Sequence, residues 1–207
     1  MSKRMEIHDR VLEATSSEAL AAVYGEWATD YERDLVDDQG YVAPALAVEL
    51  LLGTLTDRTA TILDAGCGTG LVGARLHRAG CTSIDGIDYS SEMLALAREK
   101  GVYRRLLQGD LNAPIPFADG AYGACICVGT LTLAHVGPDA IRELVRVVAP
   151  GGLLCFTVRS EAWDALDYAG VIDALVERGG IEGITRRRDD YIRKEGSTCE
   201  LCLFRVL

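Results

Sequence analysis

Residues 62–70 read ILDAGCGTG: Asp64 closes an apolar run, and glycine then takes every second position at Gly66, Gly68 and Gly70. Glycine lets a backbone turn sharply and approach a ligand with no Cβ in the way, so such a loop holds its ligand mainly through main-chain N–H groups. Two ligand classes suit it. A dinucleotide would rest its pyrophosphate there, and a G-x-G-x-x-G match does occur at Gly68, Gly70 and Gly73. A ligand with a cationic amino group would instead favour the carboxylate of Asp64, which would repel a pyrophosphate. The register favours the second class, because the glycines that follow the apolar run directly are spaced G-x-G-x-G and the dinucleotide match starts two residues late. Asp88 lies 18 residues beyond Gly70, where a carboxylate can accept both hydroxyls of a ribose; that feature fits either nucleoside.

The elements that must position these residues follow from periodicity. ATILDAG, TSIDGID, YRRLLQGD, YGACICVG and GGLLCFTVR read as strands, and LVGARLHRAG, SSEMLALAREKG and PDAIRELVRVV as helices between them. Strands alternating with helices of about ten residues imply right-handed βαβ units and a parallel sheet covered on both faces. After the helix YAGVIDALVERGG, two more strand-like runs, ITRRRDDYIRK and TCELCLFRVL, are separated only by EGS. So short a link permits a hairpin and forbids a parallel crossover, so the last strand is expected to run antiparallel. The expected fold is α/β: a doubly wound, Rossmann-like, seven-stranded, mostly parallel sheet with a reversed last strand and helices on both faces. An N-terminal helical cap over residues 1–55 precedes the core, 56–207, in a single domain. In the cap, residues 18–35 have helical spacing that puts Tyr24, Trp27 and Tyr31 on one face, and APALAVELLLGTL starts a second helix at a proline-marked turn.

Composition narrows the function classes. The chain has 207 residues and a formal charge of −10, too acidic for the basic footprint expected of a nucleic-acid reader. The one basic run, Arg186 to Arg188, is followed by two aspartates and reads as a solvated strand end. No stretch approaches the roughly 18 apolar residues of a spanning helix, and the first ten residues lack a signal-peptide core, so no membrane partner and a cytoplasmic location are expected. Seven cysteines without secretory context imply reduced thiols. Cys199 and Cys202 would point to opposite faces of a strand, and no second pair completes a zinc site, so no metal is expected.

Five segments, ILDAGCGTG, GIDYSSEMLALA, LQGDLNAPIPF, YGACICVGTL and ELVRVVAPGGLLCFTV, resemble in order and spacing the successive motifs of class I S-adenosylmethionine-dependent methyltransferases. Within that family, VYGEWATDYERDL, GYVAPALAVELL, GLVGARLHRAG and LFRVL resemble a subgroup, the methyltransferase-like protein of the Williams–Beuren syndrome chromosome region and its bacterial relatives. The resemblance implies S-adenosylmethionine as cofactor and S-adenosylhomocysteine as product. It implies that Asp64, Ala65, Gly66, Cys67, Gly68 and Gly70 hold the methionine part, that Asp88 takes the ribose hydroxyls, and that Tyr89 and Met93 lie against adenine. Gly109 and Asp110 would border the base, Asp110 accepting its exocyclic amine and Leu111 donating a backbone N–H, with Val128, Gly129 and Thr130 as the floor beneath the sulfonium. Tyr24 and Tyr31 either close the methionine end or pack in the core.

Transfer of a methyl group from a sulfonium needs a nucleophile held in line in a water-poor pocket, and a base only for acceptors such as phenols, amines or carbon acids. Where family members acting on amide or adenine nitrogens carry an N-P-P-Y-type stretch, this chain reads CVGTLTLAH. His135 is the histidine near the expected pocket, either a base or a loop histidine. The acidic balance points to a small-molecule acceptor and no nucleic acid, with the protein a monomer or homodimer. Two other functions remain open at this level: an NAD-dependent oxidoreductase, which lacks an evident Tyr-Lys or His-Arg pair, and a non-catalytic domain that binds the nucleoside.

Overall fold

The computed structural model describes residues 39–133 and 136–207; the expected helix over residues 18–35, with Tyr24, Trp27 and Tyr31, and the candidate His135 lie outside the described residues. The first described segment is pinned at once. Val42 N–H donates to Tyr191 O at 3.0 Å, Arg193 N–H donates to Gly40 O at 3.1 Å, and Tyr41 forms a bridge with Ile192. Helix α1 (Ala43–Thr54) follows, with Pro44 in its first turn, where the missing N–H costs nothing.

Strand β1 (Ile62–Ala65), helix α2 (Leu71–Arg78), strand β2 (Ile84–Asp88), helix α3 (Ser91–Glu99) and strand β3 (Arg105–Gln108) form two consecutive βαβ units. Ser90 caps α3 by accepting the Met93 N–H at 3.2 Å. Strand β4 (Tyr122–Leu131), helix α4 (Ala140–Val147) and strand β5 (Val148–Arg159) make the third unit. Two helices, α5 (Ser160–Ala165) and α6 (Tyr168–Glu177), then lead to β6 (Ile181–Ile192) and β7 (Ser197–Val206). The seven strands lie in the order β3-β2-β1-β4-β5-β7-β6. Strand β7 runs antiparallel to both β5 and β6, while the β1, β2, β3, β4 and β5 pairings are parallel. The short EGS link is a 3₁₀ turn over Arg193–Glu195 ending on Gly196 with φ of 65°. The reversed last strand is therefore present, for the reason its loop length gave.

Alternation along each central strand sorts side chains into two cores. Leu63, Ala65, Ile87, Cys125, Cys127 and Phe156 face α4 and α6, and Ile62, Ile84, Ala124, Ile126, Cys155 and Leu203 face α1 and α2. All seven cysteines are buried free thiols; Cys199 and Cys202 belong to opposite cores. Among the described residues no cluster of histidine, cysteine and carboxylate side chains could hold a metal ion, and no helix is long and apolar enough to cross a membrane.

One buried charge pins the sheet edge. Asp85 in β2 is completely buried and gathers Arg104 Nη2 at 3.0 Å, Arg105 Nη2 at 2.6 Å and the Tyr122 hydroxyl at 3.1 Å. Burial pushes its pKa up, but the donors from Arg105, Tyr122 and Arg104 outweigh that and hold it below the usual carboxylate range. The two guanidiniums stay partly exposed, so removal of the carboxylate lets them rehydrate and orphans mainly the tyrosine hydroxyl. Asp85→Ala is expected to cost about 2–3 kcal/mol in urea unfolding; an unchanged midpoint would show that the cluster only decorates the edge.

Candidate functional site

Parallel strands deliver their following loops to one edge of a sheet. The β1–β2 register runs from Ile62 opposite Ile84 to Ala65 opposite Ile87, so the glycine loop and the end of β2 reach that edge at one height. Gly66 N–H and Cys67 N–H both donate to Ile87 O, at 2.8 and 3.0 Å, and Gly68 N–H donates to Asp88 Oδ2 at 2.7 Å. Asp88 Oδ1 accepts from Ser90 N–H at 2.9 Å. Burial raises the pKa of Asp88, against the lowering effect of those N–H donors.

Around this knot lies a cleft. Gly66, Cys67, Gly68, Asp88, Tyr89, Met93, Gly109, Asp110, Leu111, Val128, Gly129 and Thr130 all line it, so twelve of the expected site residues come together. Among the described residues, a Cβ on Gly68, whose φ is +52°, would meet no atom within 4 Å. Thr69, 2% exposed, also lines the cleft just before α2, and among the described residues its hydroxyl has no partner. Asp110 lines the cleft from a turn it caps itself, with Oδ1 accepting from Asn112 N–H at 2.8 Å.

Three expected site residues do not line the cleft. Asp64 and Ala65 end β1 and Gly70 caps the start of α2; Ala65 packs into the core that faces α4 and α6, and for Asp64 and Gly70 the physical reason is Tyr103. Its hydroxyl donates to Asp64 Oδ2 at 2.7 Å, and its ring occupies the space beside Gly70, Gly73 and Gly86. The carboxylate expected to meet a ligand's amino group directly is thus turned to a phenol beneath the loop. Asp64 is 1% exposed, and among the described residues its Oδ1 has no hydrogen-bond partner. Burial is the largest effect on it; the Tyr103 hydroxyl and, less, the Gly73 N–H work the other way, and the pKa is pushed up to about 7.

Tyr41, Pro44, Thr69, Ser90, Asn112 and Val136 line the cleft without having been singled out from sequence. Thr69 and Ser90 adjoin the motifs and were within reach of a sequence reading. Tyr41 was not. It arrives through its bridge to Ile192 and stands edge-on to Tyr191 at 5.1 Å, an approach with no local signature.

Comparison with known proteins adds to this geometry. Residues 63–156 match the family model described as a methyltransferase domain. The chain is 38% identical over 181 residues to methyltransferase-like protein 27 of Homo sapiens, a match covering 84% of this chain and 73% of that protein. It is 29% identical over 200 residues to the malonyl-[acyl-carrier protein] O-methyltransferase of Pectobacterium atrosepticum, covering 91% of this chain and 74% of that one. Among solved structures, the [4+2]-cyclase SpnF superposes with a TM-score of 0.71 at 20% identity, over 93% of this chain and 97% of that one. An S-adenosylmethionine-dependent methyltransferase from Mesorhizobium loti superposes with a TM-score of 0.61 at 17% identity, over 76% and 96%. At these identities the two structures speak for the fold.

The buried Asp64 carboxyl has a folded-state pKa above its unfolded value of 3.8, so its contribution to stability is present below pH 3.8 and is lost as the pH rises towards about 7. Asp64→Asn keeps an acceptor for Tyr103 and removes the charge. The variant is expected to be more stable than the parent by about 2–4 kcal/mol at about pH 8, the gap closing towards about pH 4. Urea midpoints across that range check it, and a gap independent of pH would contradict it.

Proposed function

The chain belongs to the class I S-adenosylmethionine-dependent methyltransferases, and from that premise we propose that it transfers the methyl group of S-adenosylmethionine in line to a small-molecule acceptor. The observation that carries the cofactor assignment is the pairing of the Gly68 backbone, bare on its cleft side, with the carboxylate of Asp88 on the same edge.

The residues present fit such a cofactor. Among the described residues, an empty Cβ position at Gly68 leaves room for close approach of a ligand to the backbone. Gly66, Cys67, Gly68 and Thr69 would hold the methionine part and Asp88 the ribose. Tyr89 and Met93 would flank the adenine, with Asp110 and the Leu111 N–H at its edge. Val128, Gly129 and Thr130 would form the floor; Tyr24 and Tyr31, outside the described residues, are the candidates for closing the methionine end. When bound, the cofactor supplies an electrophilic methyl group on a sulfonium. The protein's part is to orient it and exclude water, which alone supplies much of the acceleration. Asp64 acts from behind the loop. His135 remains the candidate base for acceptors that need one.

The acidic net charge supports a small acceptor over nucleic acid. The human and bacterial relatives support transfer chemistry, and the malonyl-carrier relative supports a carboxylic acid, which reacts without a base, as the first acceptor to try. The cyclase neighbour is a reason to test transfer directly.

With methyl-labelled S-adenosylmethionine and a panel of acids, thiols, phenols and amines, label is expected in the low-mass fraction; label confined to added protein or nucleic acid would overturn the small-molecule reading. Asp88→Ala is expected to weaken S-adenosylhomocysteine binding by about 1.5–3 kcal/mol through lost charge-assisted hydrogen bonds. Unchanged affinity would remove Asp88 from the ribose site. Gly68→Val is expected to abolish binding while the protein stays folded by circular dichroism, because a β-branched residue at a φ of +52° both strains the loop and fills the cradle.

A further inference from the structure

We propose that Tyr103 and Asp64 form a proton-sensitive clasp beneath the glycine loop, in which the Tyr103 hydroxyl favours the ionised carboxylate and so couples cofactor affinity to pH. The proposal rests on the cleft being the S-adenosylmethionine site.

The clasp is built by three glycines that are absent side chains more than flexible backbone. A Cβ at Gly73 would collide with the Tyr103 hydroxyl and ring, one at Gly70 would stand 3.0 Å from the ring, and one at Gly86 would stand 3.2 Å from it. Gly70 and Gly73 are on the loop and α2, while Gly86 is on β2 directly opposite Asp64 in the β1–β2 register. The ring therefore enters under the loop from the α3–β3 connection and delivers its hydroxyl to Asp64 Oδ2 at 2.7 Å. A larger residue at Gly73 would expel it, and one at Gly70 or Gly86 would press on it. The loop is thus held on two sides: by Asp88 through the Gly68 N–H, and by the ring and the carboxylate below.

Asp64 is the unusual member. It sits one residue from the loop, almost fully buried, with one oxygen on the phenol and the other, among the described residues, without a hydrogen-bond partner. The groups that face it are the Tyr103 phenol, the Cys67 thiol of the loop, the Cys125 and Cys127 thiols of β4, and Asp88 at the end of β2. The Lys100 side chain, at the end of α3, reaches the position of Gly70. Burial pushes the thiols and the phenol further up from their ordinary values, so they stay neutral near pH 7. Burial carries Asp64 into that range. The ammonium that S-adenosylmethionine and S-adenosylhomocysteine share, on the other side of a glycine backbone, favours the ionised form. By linkage, ionisation favours the cofactor equally. Binding near neutrality then releases a proton, and affinity climbs as the pH rises through the titration of Asp64.

Titration calorimetry with S-adenosylhomocysteine from pH 6 to 8, in buffers of different ionisation enthalpy, reads both affinity and protons released. The parent protein is expected to bind about tenfold more tightly at pH 8 than at pH 6, the change for one carboxyl ionised throughout in the complex. Tyr103→Phe, which keeps the ring, is expected to move that rise to higher pH, and Asp64→Asn to flatten it and abolish proton release; Asp88→Asn is expected to weaken binding and keep the rise. A parent protein that binds with a flat profile overturns the clasp alone, as does a Tyr103→Phe profile lowered equally at every pH, the signature of a ring that only fills space. Failure to bind at every pH overturns the cofactor reading itself, and the coupling with it.

Discussion

Asp88 accepts the Gly68 N–H at 2.7 Å, and that bond can form only because β1 and β2 run parallel in a register that ends both strands at one height. A carboxylate and a bare backbone turn, each unremarkable alone, become a receptor when one bond fixes their separation. The remaining features serve that fixture. The N–H groups of Gly66 and Cys67 tie the loop to Ile87, Ser90 caps α3 while its own N–H steadies Asp88, and Asp85 draws the first residues of β3 and Tyr122 against β2.

The site is strongly acidic for a protein-bound ligand cradle. Asp64 and Asp88 flank the loop from opposite sides, both with pKa values raised mainly by burial. Buried carboxylates without a bonded cation are destabilising to the empty protein, and a positively charged ligand offsets that cost. A cation bound there would neutralise charge that the fold already holds buried, a trade of stability for function.

The sheet was legible because its determinants are local: strand and helix periods, capping residues and connection lengths. The EGS link is the clearest case, since three residues cannot carry a parallel crossover and β7 accordingly runs backwards. Most of the cleft was legible too, because Gly66, Gly68, Asp88 and Asp110 sit at strand ends that a parallel sheet must bring to one edge. What could not be read were partners brought together by tertiary packing. Asp64 looked like a ligand for an amino group, whereas its partner is Tyr103, 39 residues away, in a run that reads as the start of a strand. The same ring explains Gly73, which completed an apparent dinucleotide pattern and instead makes room for a phenol. Tyr41 enters from a bridge to Ile192 at the far end of the chain, where no spacing rule could have placed it.

We propose that the loop and Asp88 receive the nucleoside of S-adenosylmethionine rather than a dinucleotide. The most direct test is to titrate the full chain, side by side in a calorimeter, with S-adenosylhomocysteine and with NADH. Saturable binding of the thioether at one site per chain with no heat from NADH is the predicted result. Saturable binding of NADH without binding of the thioether would contradict the account.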